Sequence, residues 1–282
     1  MEFLISCSIV LYKPDITIRK TINAFLNTTL PVKLYLIDNS PTDKLRIDLG
    51  KFLENNKVEY IFNNANIGFG AGHNIALRRT INNSAYHLVL NPDVTFNTGV
   101  LESLLKYMDE NTNVGLVIPK VYHEDGKTQY VCKLLPAPID LISRRFLPAN
   151  FFRSRRLRFE LRQMPDDVEF EAPYIHGCFM FLRTEALKKV GLFDERFFMY
   201  PDDIDLTRRM YKKYKTMCYP KVSIVHKHEK GSYKDVSLLW IHIVNMIKYF
   251  NKWGWFFDKE RREINNKILS QFDKNLNCKK DL

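Results

Sequence analysis

Two acidic clusters contain the residues of this chain that are best suited to chemistry. Asp93 lies in Asn91-Pro92-Asp93-Val94, where an apolar run ends, and three aspartates lie together in Pro201-Asp202-Asp203-Ile204-Asp205-Leu206. A carboxylate at the end of a strand can hold a divalent cation, which neutralises the charge on a leaving diphosphate. A second carboxylate can accept the proton of an attacking hydroxyl. Together the two clusters favour group transfer from an activated nucleotide donor.

The second cluster is predicted to begin a helix. Pro201 suits the first helical position, so Asp202 and Asp203 fall in the first turn. The helix dipole there favours their ionised forms, and an ionised carboxylate is what a general base needs. Simple helix capping by acidic residues is the alternative, as is an ordinary β-turn for residues 91–93.

The elements that must position these residues alternate between strands and helices over residues 3–120. Short apolar runs predict strands at residues 3–12, 32–37, 58–62, 86–90 and 114–119, with helices between them. This order predicts an α/β fold with an open, mostly parallel sheet flanked by helices. Ligands bind such sheets outside the carboxyl ends of the strands. The polar turns at residues 38–40, 66–74 and 91–93 therefore fall on one rim.

A glycine-rich loop opens one of these helices. Its sequence, Gly68-Phe69-Gly70-Ala71-Gly72-His73-Asn74, would let the backbone approach a phosphate closely. It is not a dinucleotide fingerprint, because His73 stands where the third glycine belongs, and it is not a P-loop either. A tight turn from strand to helix is the alternative.

Histidines offer further ligands. His226 and His228 follow a strand-like run at residues 222–225, and a neutral imidazole there could bind a metal. A surface histidine is the common alternative for both. His176 falls inside a predicted strand at residues 174–182 and is expected to be a core histidine.

Composition limits the compartment and the partners. The 282 residues carry a net charge of +11, which favours acidic partners such as nucleotide phosphates, anionic lipids or nucleic acid. The five cysteines are widely spaced and odd in number, which favours a reducing compartment over a disulfide framework. The N-terminus does not resemble a signal peptide, and no apolar run is long enough to span a bilayer. We therefore expect a cytoplasmic protein, free or bound to a membrane surface.

The second half of the chain is less regular. Arginines and aromatic residues interleave over residues 144–162, a pattern that can bind phosphates and stack bases. Helices are predicted at residues 184–190 and 236–251, and a charged tail closes the chain. Apolar residues at helical spacing in the last helix, beside Lys248 and Lys252, favour contact with a bilayer surface. The alternative is that this stripe packs into the core.

Taken in order, the motifs resemble a known family. They run from a first strand ending Val10-Leu11-Tyr12 through Asp38-Asn39-Ser40, the glycine-rich loop, Asn91-Pro92-Asp93-Val94 and Gly177-Cys178-Phe179-Met180-Phe181 to Phe198-Met199-Tyr200-Pro201-Asp202-Asp203. This order, over roughly residues 3–230, resembles the inverting family 2 glycosyltransferases of the GT-A fold and, within them, the bacterial rhamnosyltransferase-like branch. The resemblance implies a nucleotide-sugar-binding half at residues 1–120 and an acceptor-binding half at 121–230. Residues 231–282 would be a C-terminal extension with an amphipathic helix and a basic tail.

The resemblance also implies a role for each matching residue. Asp203 would be the catalytic base, with Asp202 in place of the family's glutamate. Asp93 and His226 would bind Mg²⁺ or Mn²⁺, and Asn91 replaces the first aspartate of the family's D-x-D motif, which puts the strength of the metal dependence in question. The nucleotide sugar would be bound by Tyr12, Asp38, Asn39, Asn66, Gly68, Gly70, Asn74, Asn91 and Asp93. The acceptor would be bound by Gly177, Cys178, Asp205 and Arg208.

Partners are implied in the same way. The expected donor is dTDP-rhamnose, with UDP-glucose, UDP-galactose and other donors open, and the reaction would be one displacement with inversion. The expected acceptor is a lipid-diphosphate-linked saccharide of a bacterial surface polysaccharide such as O-antigen or capsule. The protein would lie on the inner face of the plasma membrane, as a monomer or a homodimer, and would bind no nucleic acid. A non-catalytic nucleic-acid-binding module is the alternative of another class, but it leaves both acidic clusters unexplained.

Overall fold

The computed structural model describes residues 3–140, 153–227 and 236–278. The strands are β1 Ile5–Leu11, β2 Val32–Asp38, β3 Val58–Phe62, β4 Tyr86–Leu90, β5 Val94–Thr95, β6 Val114–Tyr122, β7 Cys132–Lys133, β8 Phe170–Glu171, β9 Tyr174–Ile175, β10 Phe179–Arg183 and β11 Lys215–His226. The helices are α1 Ile18–Leu26, α2 Lys44–Asp48, α3 Gly50–Leu53, α4 Phe69–Thr80, α5 Val100–Glu110, α6 Arg153–Phe159, α7 Thr184–Val190, α8 Pro201–Tyr211, α9 Val236–Trp253 and α10 Lys259–Cys278.

One nine-stranded sheet organises these elements, in the order β3-β2-β1-β4-β10-β6-β11-β5, with β8 paired to β11. β1 pairs in parallel with both β2 and β4, and β2 pairs in parallel with β3. β10 lies antiparallel between β4 and β6, whereas β6 and β11 are parallel. The predicted open α/β sheet is confirmed, and it is mixed: four strand pairs are parallel and four are antiparallel. The carboxyl ends of β1, β2, β3 and β4 lie along one edge of this sheet.

The central strands are buried on both faces, which explains why they read as nearly continuous apolar runs. The polar exceptions in β1 are satisfied internally. Ser6 lies 2.7 Å from Nδ1 of His87, and Ser8 bridges Nε2 of His87 at 2.8 Å and Nδ1 of His73 at 2.7 Å. Burial lowers the pKa of His87 to about 3 and that of His73 well below its ordinary value, so both imidazoles are neutral. His73 thus belongs to the core under the glycine-rich loop.

The predicted strand at residues 174–182 is two strands instead. β9 pairs with β7, β10 pairs with β4 and β6, and residues 176–178 form the turn between them. A Cβ atom at Gly177 would lie 3.0 Å from the ring of Phe69 and 3.3 Å from Cβ of Asp203. A larger residue in this turn would therefore require the Phe69 ring to shift by a few tenths of an ångström. His176, expected inside a strand, lies half-buried in this turn.

The charged tail predicted after the last helix contains a helix of its own, α10. Its residue Ile268 is buried in the same core as Met246, Tyr249 and Phe250 of α9. The C-terminal extension is therefore packed onto the sheet domain. Within the arginine-rich segment only α6 and its flanks are described; Arg144, Arg145, Phe146, Phe151 and Phe152 lie outside the described residues, as does His228.

The apolar residues of helix α9 were expected either to contact a bilayer or to pack into the core. Asn245, Met246, Tyr249 and Phe250 form a buried face, so part of the apolar stripe does pack into the core. A second row is exposed and consists of Val236, Trp240, Val244 and Ile247. The helix therefore has an apolar face toward the protein and an apolar row toward solvent.

Candidate active site

Asp203 lies in the first turn of α8, as the sequence predicts. Its buried carboxylate accepts hydrogen bonds from the amides of Gly177 and Ile204, each at 2.8 Å. Burial raises the pKa of Asp203 well above its ordinary value, the charge of Asp202 adds to this effect, and the two N–H donors oppose it. A carboxylate in this environment takes up a proton more readily than a free aspartate does, which is the property of a general base.

Asp202 is equally buried and faces the glycine-rich loop. Its Oδ2 accepts from the Gly70 amide at 3.1 Å, and its Oδ1 accepts from the Asp203 amide at 3.1 Å. Burial raises the pKa of Asp202 to about 7, although these N–H donors act in the opposite direction. Desolvation thus outweighs the helix-dipole effect expected from the sequence. Because the two carboxyls disfavour each other's ionisation, they titrate as a pair.

The turn at residues 176–178 joins the two acidic clusters. The Gly177 amide holds the carboxylate of Asp203, and the next residue, Cys178, accepts the amide of Asn91 on its carbonyl at 2.9 Å. Asn91 opens the turn that contains Asp93. The catalytic candidate and the metal-binding candidate are therefore connected through the backbone of one short turn, which also accounts for the predicted site residues Gly177 and Cys178.

Asp93 and His226 meet at the end of β11. Oδ1 of Asp93 lies 3.4 Å from Nε2 of His226, and Nδ2 of Asn91 lies 3.4 Å from the same nitrogen. Gln129 fixes the ring, because its Oε1 accepts from Nδ1 at 3.0 Å and its Nε2 donates to the His226 carbonyl at 2.7 Å. Burial disfavours a charged imidazole here, but the sulfur of Cys178 and the carboxylate of Asp93 favour it, and the pKa of His226 is raised to about 10.

These side chains fit a divalent cation that also binds a diphosphate. With Nδ1 of His226 bonded to Gln129, Nε2 is directed toward Asp93, the orientation that second-shell partners give to imidazole ligands. No cluster of three or more His, Cys, Asp or Glu side chains forms a complete metal site within the described ranges. Mg²⁺ and Mn²⁺ at phosphate sites often take one or two carboxylates from the protein and complete their shells with phosphate oxygens and water. Metal binding would require the neutral imidazole, so metal and proton compete at His226.

The turn after β2 forms another part of the rim. Asp38 is fully buried; its Oδ1 accepts from the Ser40 amide at 2.8 Å, and its Oδ2 accepts from the hydroxyl of Tyr60. Asp38 therefore stabilises the turn from the protein interior through these hydrogen bonds. Tyr12, which follows β1, is 51% exposed and presents its ring at the same edge. Of these two predicted nucleotide-binding residues, Tyr12 is the accessible one.

The glycine-rich sequence forms the N-cap, Gly68, and the first turns of α4 instead of a separate loop, and it packs against the residues that precede α8. Gly68 has a φ of +90°, and a Cβ atom there would lie 2.3 Å from the carbonyl oxygen of Phe198. The same oxygen accepts the Phe69 amide at 2.9 Å. Asn39 donates to the Gly68 carbonyl at 3.2 Å, and the exposed Asn66 accepts the Gly68 amide at 3.2 Å. The packing of Gly68 against the Phe198 backbone thus requires a glycine here whether or not a phosphate binds.

Asn74 has partners away from the rim. Its side chain donates to the Phe193 carbonyl at 2.9 Å, accepts the Phe193 amide at 3.1 Å and donates to Glu195 at 2.8 Å. Asn74 is buried, so its described contacts fix the loop before α8 to α4. The structure does not bring it together with the nucleotide-binding candidates.

Asp205 and Arg208, predicted to bind the acceptor, face the C-terminal helices instead. Asp205 accepts from Arg209 at 2.8 Å and from the indole of Trp253 at 2.8 Å. Arg208 forms two hydrogen bonds with Asp258, at 2.7 Å and 2.9 Å, and its guanidinium lies 4.2 Å from the Trp253 ring centroid. Both side chains are buried in contacts that hold α8 to α9 and α10.

Sequence reasoning did not identify three residues that lie near the site. Gln129 orients His226, Tyr60 bonds to Asp38, and Lys133 lies close enough to Asp203 for its charge to lower that carboxyl's pKa. Each comes from a segment without a motif. Only contacts between segments distant in the chain place them, so no local signal could have found them.

Comparison with known proteins agrees with this geometry. Residues 6–191 match the model of a family described as "Glycosyl transferase family 2". The N-acetylglucosaminyl-diphospho-decaprenol L-rhamnosyltransferase of Mycobacterium tuberculosis (strain ATCC 25618 / H37Rv) is 26% identical over 230 residues, covering 74% of this chain and 71% of that protein. The rhamnosyltransferase WbbL of Escherichia coli (strain K12) is 24% identical over 193 residues, covering 64% of this chain and 69% of WbbL.

A solved structure extends the likeness to the fold. The crystal structure of GalNAc-T7 with UDP, GalNAc and Mn²⁺ has a TM-score of 0.60 to this chain at 15% identity. The match covers 79% of this chain but only 43% of GalNAc-T7. At this identity the likeness concerns the fold alone, and the GT-A fold expected from the motifs is confirmed.

Proposed function

Because the chain belongs to glycosyl transferase family 2, we propose that it moves a sugar from a nucleotide sugar to an acceptor hydroxyl in one inverting displacement. The observation that carries this proposal is the turn at residues 176–178. It connects Asp203, a buried carboxyl suited to proton transfer, with Asp93 and His226, a pair suited to a metal-bound diphosphate. An inverting transfer needs these two functions on opposite sides of the reacting carbon.

Asp203 is the proposed general base. The Gly177 and Ile204 amides each occupy one of its two carboxylate oxygens, so the carboxylate is held in place while a lone pair on each oxygen stays available. The acceptor hydroxyl would give its proton to Asp203 as its oxygen attacks the anomeric carbon. Asp202, bonded to the Gly70 amide, fixes the glycine-rich loop beside this carboxylate and keeps its pKa high.

Asp93 and His226, with Asn91 beside them, are the proposed holders of Mg²⁺ or Mn²⁺. When bound, the ion neutralises the negative charge that develops on the leaving diphosphate. The protein's own part is to direct Nε2 of His226 through Gln129 and to fix the Asp93 turn through the Asn91 amide. The crystal structure of GalNAc-T7 contains Mn²⁺ with UDP, which supports the choice of cation.

The donor site is proposed at the rim formed by the turns after β1 and β2. Tyr12 offers an exposed ring for stacking on a nucleobase, with Asp38, Asn39 and Asn66 shaping the pocket around it. We propose dTDP-rhamnose as the donor, because the names of two relatives specify rhamnose transfer. UDP-glucose and UDP-galactose remain the alternatives to test, since nothing in the rim's described contacts selects thymine over uracil.

The proposed acceptor is a saccharide linked to a lipid diphosphate, in the assembly of a bacterial surface polysaccharide such as O-antigen or capsule. The name of the M. tuberculosis relative specifies a diphospho-decaprenol acceptor. None of the helices in the described ranges is long and apolar enough to cross a membrane. Exposed apolar side chains offer contact with a bilayer surface instead: they are the α9 row of Val236, Trp240, Val244 and Ile247, together with Phe256 and Phe257 beyond the end of that helix.

We propose that these side chains place the enzyme on the inner face of the plasma membrane. Sedimentation with vesicles of anionic lipid should be lost when Trp240 and Phe257 are both replaced by Glu. Ile47→Glu is the matched control, because Ile47 is equally apolar and 83% exposed on a different helix. If the double variant forms monomers where the wild type forms dimers and sediments unchanged, these side chains join two copies of the chain instead.

The alternative of a nucleic-acid-binding module is weakened by the arginines that the structure describes. Arg155 pairs with Asp140 at 2.5 Å, Arg162 pairs with Glu160 at 2.5 Å, and Arg156 lies 3.5 Å from Glu160. These three cations share two carboxylates, whereas Arg153 and Arg158 form no ion pair among the described residues. A strip of arginines that is partly paired in this way attracts a phosphate backbone less strongly than a free one.

Replacement of Asp203 tests the proposed function directly. Asp203→Asn should reduce sugar transfer by about 10²–10⁴-fold, the usual effect of losing a general base, while nucleotide-sugar binding stays within about threefold of wild type. Binding and turnover of dTDP-rhamnose, UDP-glucose and UDP-galactose would be measured with Mn²⁺, alongside Asp43→Asn as a charge-matched control. Asp93→Ala should instead abolish the metal-dependent part of donor binding. Full activity in Asp203→Asn would exclude this residue as the base.

A further inference from the structure

A cavity of about 610 Å³ lies outside the candidate active site, between α6, the segment that follows β7, and α10. This volume is in the range of ligand-binding pockets. Its apolar lining comes from these three segments and consists of Leu134, Leu135, Ala137, Phe159 and Leu269. Nothing in the proposed transfer step uses this space, so it is a candidate for a separate binding function.

The lining of the cavity is strongly basic. Its lining contains four arginines, Arg155, Arg158, Arg261 and Arg262, against one carboxylate, Asp140. Arg155 is paired with Asp140, and Arg261 donates to the carbonyls of Pro136 and Trp255. Arg158 and Arg262 are exposed and form no ion pair within the described ranges. Two uncommitted guanidinium groups beside an apolar pocket fit a ligand with an anionic end and a hydrocarbon end.

The backbone of β7 and β9 links the cavity lining to the turn that holds Asp203. Lys133 pairs with Tyr174 of β9, and three residues after Tyr174 the Gly177 amide holds Asp203. Leu134 and Leu135 follow Lys133 directly and line the cavity. Three residues of chain span at most about 10 Å and the paired strands lie about 5 Å apart, so the cavity lining begins within on the order of 15 Å of the Gly177 amide that holds Asp203. That spacing leaves room for a sugar between the cavity and the base.

We propose that this cavity binds the diphosphate and the first isoprenoid units of a polyprenyl-diphosphate-linked acceptor, with Arg158 and Arg262 on the diphosphate and the leucines on the chain. The proposal rests on the proposed function, because it gives a location to the lipid end of the acceptor whose hydroxyl Asp203 deprotonates. A nucleic-acid strand fits less well, since the described apolar lining is mostly aliphatic and its one aromatic side chain, Phe159, is buried and offers no face to a base.

Direct binding of a soluble analogue tests the proposal without any turnover. Farnesyl diphosphate, below its micelle concentration, would be titrated into the full chain by calorimetry in EDTA, which suppresses metal-dependent binding at the donor site. Inorganic diphosphate, farnesol and a short single-stranded oligonucleotide would be titrated separately. We expect farnesyl diphosphate to bind at least tenfold more tightly than either half of it alone, because both ends of the site are used.

Arg158→Ala combined with Arg262→Ala should weaken farnesyl diphosphate binding at least tenfold. Lys51→Ala combined with Lys106→Ala removes the same charge from α3 and α5, which do not line the cavity, and should leave binding unchanged. Equal binding by both double variants would overturn the proposal, and so would tighter binding of the oligonucleotide than of farnesyl diphosphate.

A donor-binding measurement separates this proposal from the proposed function. The Arg158 and Arg262 double variant should bind nucleotide sugar with Mn²⁺ as the wild type does, and should show a raised KM for lipid-linked acceptor with little change in kcat. If the wild type did not bind nucleotide sugar, the proposed function would be refuted even if the cavity bound farnesyl diphosphate. Normal sugar transfer together with no farnesyl diphosphate binding would refute the cavity alone.

Discussion

The pH dependence of stability should reveal the burial of Asp202. Burial raises its pKa to about 7 from the ordinary 3.8. Between these values the folded state holds a proton that the unfolded state has already released. The stability contributed by the protonated Asp202 is therefore complete below the ordinary value and is lost as the pH rises through about 7. The full difference corresponds to about 4 kcal/mol, of which about 2–3 kcal/mol falls between about pH 5 and about pH 8.5.

Asp202→Asn tests this reasoning because asparagine does not titrate. The asparagine can accept on one side-chain oxygen only, so either the Gly70 amide or the Asp203 amide loses its acceptor. That loss costs about 1–3 kcal/mol at every pH. The informative quantity is therefore the change with pH and not the stability at one pH. Relative to wild type, we expect the variant to gain about 2–3 kcal/mol from about pH 5 to about pH 8.5.

Urea denaturation of both proteins across this range, in EDTA, gives the two stability profiles. Groups that titrate equally in both proteins cancel in the difference, whereas Asp203, whose pKa the Asp202 charge raises, adds to the difference with the same sign. Asp43→Asn, in the exposed turn before α2, controls for the loss of a charge and should run parallel to wild type. A constant difference between Asp202→Asn and wild type would refute the desolvation argument. If the wild type instead became more stable relative to Asp202→Asn as the pH rose, the N–H donors would outweigh burial in setting the pKa of Asp202.

The structure makes two further predictions about stability. Gly68→Ala should destabilise the fold by about 2–4 kcal/mol, because the new Cβ would meet the Phe198 carbonyl oxygen at 2.3 Å on a backbone with φ +90°. Gly50→Ala is its matched control, since nothing lies within 4 Å of the added Cβ there, and equal midpoints in urea for the two variants would contradict the prediction. Arg208→Met should cost about 3–5 kcal/mol, because the buried Asp258 carboxylate would lose its two close hydrogen bonds to Arg208 and keep only the Arg261 guanidinium, at 4.0 Å, as a cation. The double variant with Asp258→Asn should be less destabilised than Arg208→Met alone, and simple additivity in a double-mutant cycle would argue against a coupled pair.

The arrangement of the rim was largely predictable, because parallel strands align their carboxyl ends by a general rule. Apolar runs placed β1, β2, β3 and β4 to within a few residues, and Asp38, Asn91 and Asp93 each fall at or just after a strand end. The first turn of α8 was predictable for the same reason, since Pro201 and the acids after it form a local signal. The expectation that the helix dipole favours ionised Asp202 and Asp203 did not hold. The sequence indicates the dipole, but it does not show the burial that outweighs it.

The residues of α8 show where sequence reasoning reached its limit. Asp203 and Asp205 are two positions apart in a helix, so their side chains point in nearly opposite directions. Asp203 meets the Gly177 amide, whereas Asp205 and Arg208 meet Trp253 and Asp258 of the C-terminal extension. A run of similar acids looks like one functional cluster until the partners on each face are known.

The sequence by itself thus determined the family, the alternating elements and the acids that lie at strand and helix ends, because these depend on local pattern. Tertiary structure alone decided that Gln129 orients His226, that the 176–178 turn connects Asn91 to Asp203, and that Arg158 and Arg262 share a cavity. Those contacts join segments tens of residues apart in the chain. Their geometry follows from strand pairing and helix packing, which no short stretch of sequence specifies.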